Sequence, residues 1–581
     1  MNASRFAQRF WLLAFAGLAG SGLSCTGEDP GSSSGSSRTA SESGALQAFV
    51  TFADATRSSG ITFQRDNGFD GQSWRVVETV NGGVAVLDAD GDGLLDIYFT
   101  NARKIDPGSP PPANALYRGR GDLKFEDVTA RSGTGDTALS MGCSVADVDG
   151  DGRPDIYVTN LGANRLYRNL GAGRFEDIAA RAGLASDSMD AGSAFFDMDH
   201  DGDLDLYVAS YVNDTRTEHP PFVFRGVLGY WPPVNYEPAL DHLYENTGGR
   251  FVDVSTKSGI RDVETGRGLG VIVSDFNRDG HPDIFVANDL SANFMFLGDG
   301  KGRFEETAFL NGTAFGENGD SLGSMGVDSA DFDSDGRPDL VVTNYYNQPN
   351  NLYRAMAANE YAEMALISGI AAGNLPEVSW GVHFADFDND GREDLFVANG
   401  HLNPGAREIT DSTSYEQVNR VFRNAGGGRF EDVGRSCGQA LTVSQVGRGS
   451  SAADFDNDGD LDLLIANSFG PPQLLRNDVV PSQSWILVHL IGSARNSGAI
   501  GARVTVTTGG HRQWRERRSS ASYLSVNDPR LHFGLGAATK IDRLEVLWPD
   551  GSVEVHENLP ARRLLTVRQG EAEVEVGELG R

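Results

Sequence analysis

One nine-residue acidic pattern, D-x-[DN]-x-D-G-x-x-D, occurs seven times along this chain. Its carboxylate and amide positions are Asp88, Asp90, Asp92 and Asp96, then Asp147, Asp149, Asp151 and Asp155, then Asp197, Asp199, Asp201 and Asp205. They continue as Asp275, Asn277, Asp279 and Asp283, as Asp331, Asp333, Asp335 and Asp339, as Asp386, Asp388, Asp390 and Asp394, and as Asp454, Asp456, Asp458 and Asp462. Repetition on this scale means stacked copies of one supersecondary unit.

The flanks repeat with the loops. A glycine stands five residues before each first aspartate, at Gly83, Gly142, Gly192, Gly270, Gly326, Gly381 and Gly449. Small or apolar residues such as VAVL fill the gap. An apolar run such as IYFT follows each loop, then a segment like NRLYRN, then one like RFEDVTARSG. That makes four short strands per unit with turns between them, the pattern of a propeller blade. A glycine on each innermost strand suits a crowded central axis. The outermost strands begin at Phe125, Phe175, Phe251, Phe304, Tyr361 and Phe430, six for seven loops. The stretch from Phe52 to Gly60 matches Phe125 to Gly133 and supplies the missing copy. The expected fold is all-β: a seven-bladed propeller over 47–479, closed by its N-terminal strand, then a small antiparallel β-domain over 480–575 and a tail over 576–581. Closure removes sheet edges that would invite aggregation.

The loops are built for a hard cation. Calcium takes six to eight oxygens in a flexible shell, and aspartates at positions 1, 3, 5 and 9 converge when a glycine at position 6 permits a sharp turn. Gly93, Gly152, Gly202, Gly280, Gly336, Gly391 and Gly459 hold that place, and a carbonyl at position 7 is expected to add an oxygen. Magnesium prefers a strict octahedron with retained waters, and zinc would lack nitrogen or sulfur donors. A solvated Asp-Gly turn accounts for one such loop, but not for 27 Asp and one Asn at 28 positions. Up to seven calcium ions are expected, with a structural role. Loops of this kind in exported modules bind at Kd of roughly 10⁻⁴–10⁻³ M. At tenfold excess over Kd each site adds about 1.4 kcal/mol, and seven add about 10 kcal/mol.

The net charge of −32 repels phosphate backbones and argues against nucleic acid as a partner. Cys143 and Cys437 are expected to be buried small apolar residues, since three cysteines make neither a disulfide framework nor a zinc pattern. Residues 1–25 read as an export signal, with Arg5, Arg9 and the apolar run Phe10 to Leu18. Gly22-Leu23-Ser24-Cys25 is similar to a lipoprotein cleavage box, with Cys25 the lipidated residue. Gly22 departs from that box, and ordinary cleavage is the alternative. Residues 26–46 read as a flexible linker. The chain is placed at the outer surface, in the periplasm or outside the cell.

With these motifs in place, the repeats resemble the FG-GAP/VCBS repeats of integrin α-subunit propellers. Ser484 to about Val574 resembles the ASPIC/UnbV domain, through Trp485-Ile486-Leu487-Val488, Gly501-Ala502-Arg503-Val504, Ser522-Tyr523-Leu524-Ser525, His532 to Gly536 and Trp548-Pro549-Asp550-Gly551. The combination resembles the cartilage acidic protein family. The resemblance implies calcium binding and extracellular interaction, with no chemistry to carry over. His532 and Trp548 are expected to pack at strand ends.

The third unit carries the longest insertion, Tyr211 to Leu240. Its Phe222, Phe224, Tyr230, Trp231 and Tyr236 are the expected partner contacts, unless the rings fold back as a lid on their own propeller. The expected partner is a protein or glycan at the cell surface. The rival reading is a carbohydrate-active, polysaccharide lyase-like enzyme, for which His383, His401 and Tyr230 are scattered candidate bases. A surface receptor or assembly subunit is a third. No HExxH or P-loop occurs, and no GxSxG stands in the strand-to-helix setting of a nucleophile elbow; a binding scaffold is the reading carried forward.

Overall fold

The computed structural model describes residues 50–102, 112–216, 218–263, 265–479 and 483–578. The signal, Cys25 and the linker lie outside the described residues. Seven four-stranded sheets follow one another along the chain. In the first, Val84–Leu87 pairs with Asp96–Phe99, which pairs with Ala115–Gly119 and then Phe125–Asp127. The strand after each loop is Val-, Ile-, Leu- or aromatic-rich and is buried along its length, as in Asp283–Asn288 and Asp462–Asn467. Such runs form strands because they pack against a sheet on both faces. The seventh sheet is assembled from both ends of the repeat region. Val50–Asp54 pairs antiparallel with Gln473–Val479, and Phe52 lies opposite Asn477 as Phe175 lies opposite Asn169.

Consecutive sheets touch through glycine. A side chain at Gly192 would meet the Leu269 carbonyl at 2.2 Å, at Gly270 the Met325 carbonyl at 2.4 Å, and at Gly326 the Trp380 carbonyl at 2.0 Å. The series runs on from Gly381 to the Arg448 carbonyl and from Gly449 to the carbonyl of Gly82, beside the first innermost strand. In five sheets the innermost strand also slips register around this glycine, for instance between Ser379 and Val382. A bulge at a residue without Cβ lets neighbouring backbones approach.

The C-terminal region forms two further four-stranded sheets. They enclose a core of Ile486, Val488, Val504, Phe533, Leu544, Val546 and Trp548. The expectation of a purely antiparallel domain is corrected here: Ser484–Ile491 and Arg563–Arg568 run parallel. The long connection between them, through the second sheet, allows that crossover.

From this domain the segment Ser519–Asp528 enters the centre of the repeat sheets and hydrogen-bonds every innermost strand. The Val84 amide donates to Ser525 Oγ (3.2 Å), the Cys143 amide to the Leu524 carbonyl (3.2 Å), and the Phe195 amide to Ser519 Oγ (2.7 Å). Ser520 Oγ donates to the Val271 carbonyl (3.3 Å), and the Val327 amide donates to the Ser522 carbonyl (3.1 Å). The Val382 amide donates to Ser522 Oγ (3.0 Å), and Ser451 Oγ donates to the Val526 carbonyl (2.7 Å). Small hydroxyl residues fit a narrow channel lined by strand backbone, where each buried polar group must find a partner. Tyr523, fully buried, reaches through to donate its hydroxyl to the Val80 carbonyl. Ser522 and Leu524 hold left-handed φ of 63° and 56° to make the tight tip.

Candidate metal centres

Each loop folds around its own backbone. The position-1 aspartate accepts from the amide of the position-6 glycine in all seven, at 2.7 to 3.1 Å. Those glycines adopt φ between 84° and 94°, a conformation that side chains disfavour. The position-5 aspartate accepts from the position-7 amide, as Asp92 does from Leu94 (3.0 Å) and Asp458 from Asp460 (3.0 Å).

The ninth position does more than the pattern indicated. Its carboxylate clamps two strands, accepting from the position-2 amide with one oxygen and from a third-strand amide with the other. Asp96 takes Ala89 (2.8 Å) and Gly119 (2.7 Å), and Asp462 takes Phe455 (3.1 Å) and Asn477 (2.8 Å). The same pair of bonds holds Asp155, Asp205, Asp283, Asp339 and Asp394.

Carboxylate oxygens from positions 1, 3 and 9 then converge. The trios Asp88–Asp90–Asp96, Asp147–Asp149–Asp155, Asp197–Asp199–Asp205, Asp331–Asp333–Asp339 and Asp386–Asp388–Asp394 each bring three such atoms within 4.8 Å of one another. Burial pushes the ninth carboxyl up, to about 7 for Asp96 and about 8 for Asp155, Asp205 and Asp283, with neighbouring aspartates adding repulsion. Buried Asp90 Oδ1, Asp197 Oδ1, Asp331 Oδ1 and Asp456 Oδ1 have no hydrogen-bond partner. An all-oxygen donor set with unpartnered buried oxygens fits a divalent hard cation. The fourth loop differs: the Asn277 amide donates to Asp279 Oδ2 (2.8 Å), so its third position adds no charge.

Arginines outside the pattern brace the loops. Arg118, on the third strand of its sheet, meets Asp90 at 2.5 Å and Asp92 at 2.7 Å. Arg168 and Arg354 meet Asp149 and Asp333 in the same way, and Arg423 lies 3.5 Å from Asp388. The signal was present in the aromatic-Arg pair repeated on the third strand, Tyr-Arg in three of these sheets and Phe422-Arg423 in the sixth.

The C-terminal domain rests on these loops. Ser497 Oγ donates to Asp147 Oδ2 (2.5 Å), His532 Nε2 bonds the Gly459 carbonyl (3.1 Å), and Arg515 pairs with Glu393 (2.5 Å). Arg530 donates to the Asp454 carbonyl and to Asn457 Oδ1, both at 2.7 Å. The sixth and seventh loops are covered: Asp386 is 1 % exposed and Asp454 0 %. Trp548 is core.

The insertion of the third unit behaves as a lid. Tyr230 and Tyr236 are buried, which corrects their expected role as exposed contacts. Tyr230 packs edge-on against Trp74 and hydrogen-bonds Glu78, while Tyr236 faces the Arg216 guanidinium at 4.1 Å. The Phe222 ring lies tilted against Trp231 with centroids 5.0 Å apart, and Phe222, Phe224 and Trp231 stay part-exposed. Under the lid sit two groups the sequence did not flag. Burial holds the Glu78 carboxyl up at about 8, and Arg448 lies 4.0 Å over Trp380 and donates to the carbonyls of Thr79, Gly400 and Gly447. Cys143 and Cys437 are free and buried.

Repeated strand–loop–strand units with converging aspartates define a class of repeat protein: this chain belongs to the FG-GAP-like repeat family, matched over 88–158, 147–208, 275–342, 331–397 and 406–465. An ASPIC and UnbV domain matches 492–574. Its relatives include cartilage acidic protein 1 of Mus musculus, 27% identical over 484 residues, 81% of this chain and 62% of that protein. The Homo sapiens protein of that name is 27% identical over 483 residues, 81% of this chain and 60% of its own. The chain thus spans 60 to 62% of the length of these curated relatives. Similar solved structures include an Agrocybe aegerita lectin, described for recognition of non-reducing terminal N-acetylglucosamine (TM-score 0.35, 16% identity, 61% of this chain, 79% of that one). Another is BBS1N in complex with ARL6DN (TM-score 0.40, 10% identity, 75% and 99%). At these scores the likeness carries no argument.

Proposed function

We propose that the chain is an exported calcium-binding β-propeller that serves as a cell-surface or extracellular binding scaffold, its partner a protein or glycan. The observation that carries the reading is the recurrence of carboxylate trios within 4.8 Å, each with a buried ninth-position aspartate, several with an oxygen that no donor satisfies. Calcium would be held by positions 1, 3, 5 and 9 of each loop, with Asn277 in the fourth, and would supply charge neutralisation. The cycle of glycine contacts that returns from Gly449 to Gly82, and the pairing of Val50–Asp54 with the last sheet, support the reading of a closed ring of seven blades.

A scaffold is favoured over a lyase-like enzyme because the candidate bases are enclosed. His383 is 0 % exposed, bonds Ser450 Oγ at 2.9 Å, and burial holds its pKa down at about 3. His401 is buried beside Arg448 and is held down in the same way. Thermal melting in millimolar calcium, in excess EGTA and in magnesium tests the metal reading. The reading expects a large loss of Tm in EGTA that magnesium does not restore; equal melting in all three sinks it.

A further inference from the structure

A short helical turn follows the outermost strand of every repeat sheet, and its two outward positions can be compared across seven copies. Five copies place one cation there, in Arg57-Ser58, Ala130-Arg131, Ala180-Arg181, Thr256-Lys257 and Arg435-Ser436. The fourth and fifth copies carry Phe309-Leu310 and Leu366-Ile367 instead. These four side chains are 73 %, 81 %, 66 % and 64 % exposed, and among the described large apolar residues only Phe469, at 64 %, matches them. The two turns are neighbours. The turn Ala308–Asn311 packs against the strand Glu360–Glu363, which leads directly into the turn Ala365–Ser368. Together they present on the order of 400–500 Å² of apolar surface, the size of the largest apolar patch on a typical monomer, which is often functional. The fold does not require them, since the other five copies build the same turn with small and basic residues.

The surroundings select the partner. Glu305, Glu306, Glu317, Asp320, Glu360 and Glu363 lie in the same two units, and none pairs with Lys or Arg among the described ion pairs. Between Phe304 and Glu377 the only basic residues are Arg337 and Arg354, and both are engaged by loop aspartates. The nearest cations before that stretch, Lys301 and Arg303, sit beside Asp299. An apolar strip among carboxylates that no described Lys or Arg neutralises disfavours a second copy of this acidic chain and an anionic membrane alike. We propose that the rim of the fourth and fifth sheets docks a cationic amphipathic segment of a partner protein, its apolar face on Phe309, Leu310, Leu366 and Ile367 and its Lys or Arg residues toward the flanking carboxylates. The site is independent of the metal reading.

The test uses the full chain in calcium and a variant carrying Phe309→Ala, Leu310→Ser, Leu366→Ala and Ile367→Ser, residue types that the sister turns already use. Three fluorescent helical peptides serve as probes, patterned Lys/Leu, Glu/Leu and Lys/Ser. The proposal expects the Lys/Leu peptide to bind the native chain at least tenfold more tightly than the variant, with an unchanged Tm. The Lys/Ser peptide should bind both chains equally and weakly, and the Glu/Leu peptide neither. Equal binding of the Lys/Leu peptide to both chains overturns it, as does equal binding of Lys/Leu and Glu/Leu peptides to the native chain. Sedimentation that shows the native chain, and not the variant, dimerising through this rim assigns the surface to a second copy and also overturns it.

Discussion

Within one loop, the aspartates divide the labour in a way that mutation can separate. Asp96 accepts two backbone amides and is 1 % exposed, so it holds the first sheet together whether or not a metal is present. Asp96→Ala strands two buried donors and should cost about 2–4 kcal/mol, in EGTA as in calcium. Asp90 accepts no backbone amide among its described bonds; it meets Arg118 and leaves Oδ1 unpartnered. Asp90→Ala, which removes the third-position oxygens altogether, should therefore cost little in EGTA and lower stability chiefly in calcium, by about 1 kcal/mol if one site is lost. Chemical denaturation of both variants, with and without calcium, checks the contrast. The pattern alone could not have shown it, because four aspartates in one spacing look equivalent until the third strand arrives to claim the ninth.

At the scale of elements, the C-terminal plug binds the sheets to one another. Tyr523 is fully buried at the tip of a segment that hydrogen-bonds each of seven innermost strands. Tyr523→Ala should cost about 3–5 kcal/mol, as large-to-small changes in cores do. Unfolding followed by both tryptophan fluorescence and circular dichroism should stay coincident, because plug and sheets share one packed interior; two separated transitions would contradict this. The same docking sets apart two groups of loops. Asp386 and Asp454, the first aspartates of their loops, lie at 1 % and 0 % exposure beneath the C-terminal domain, while Asp88, the first aspartate of the first loop, is only half-buried. On the calcium reading, stopped-flow chelation should show a fast phase and a phase at least tenfold slower. Arg530→Ala, which removes the contacts to Asp454 and Asn457, should speed the slow phase alone. The sequence disclosed the strands and loops because their period and glycine offsets are local. It did not disclose the plug, since Ser522-Tyr523-Leu524-Ser525 carries no pattern that names a channel hundreds of residues away.

For the whole molecule, repetition explains both what was legible and what was not. Copies of one unit made the match of Phe52 to Phe125 and Phe175 visible, and Phe52 does sit in the seventh sheet opposite Asn477. The parallel pairing of Ser484–Ile491 with Arg563–Arg568 was not legible, because alternation of apolar residues is the same in either direction. The lid was legible only in part: five aromatics on a long insertion read equally as contacts or as packing, and Trp74 and Glu78, which decide for Tyr230, lie far off in sequence. Calcium ties these scales together, since it would neutralise the loops on which the C-terminal domain rests. The most direct test is to dialyse the purified chain against millimolar calcium and count the bound ions by elemental analysis against protein concentration. The account predicts several ions per chain, up to seven, displaced by EGTA and not replaced by magnesium; a chain that retains none would contradict it.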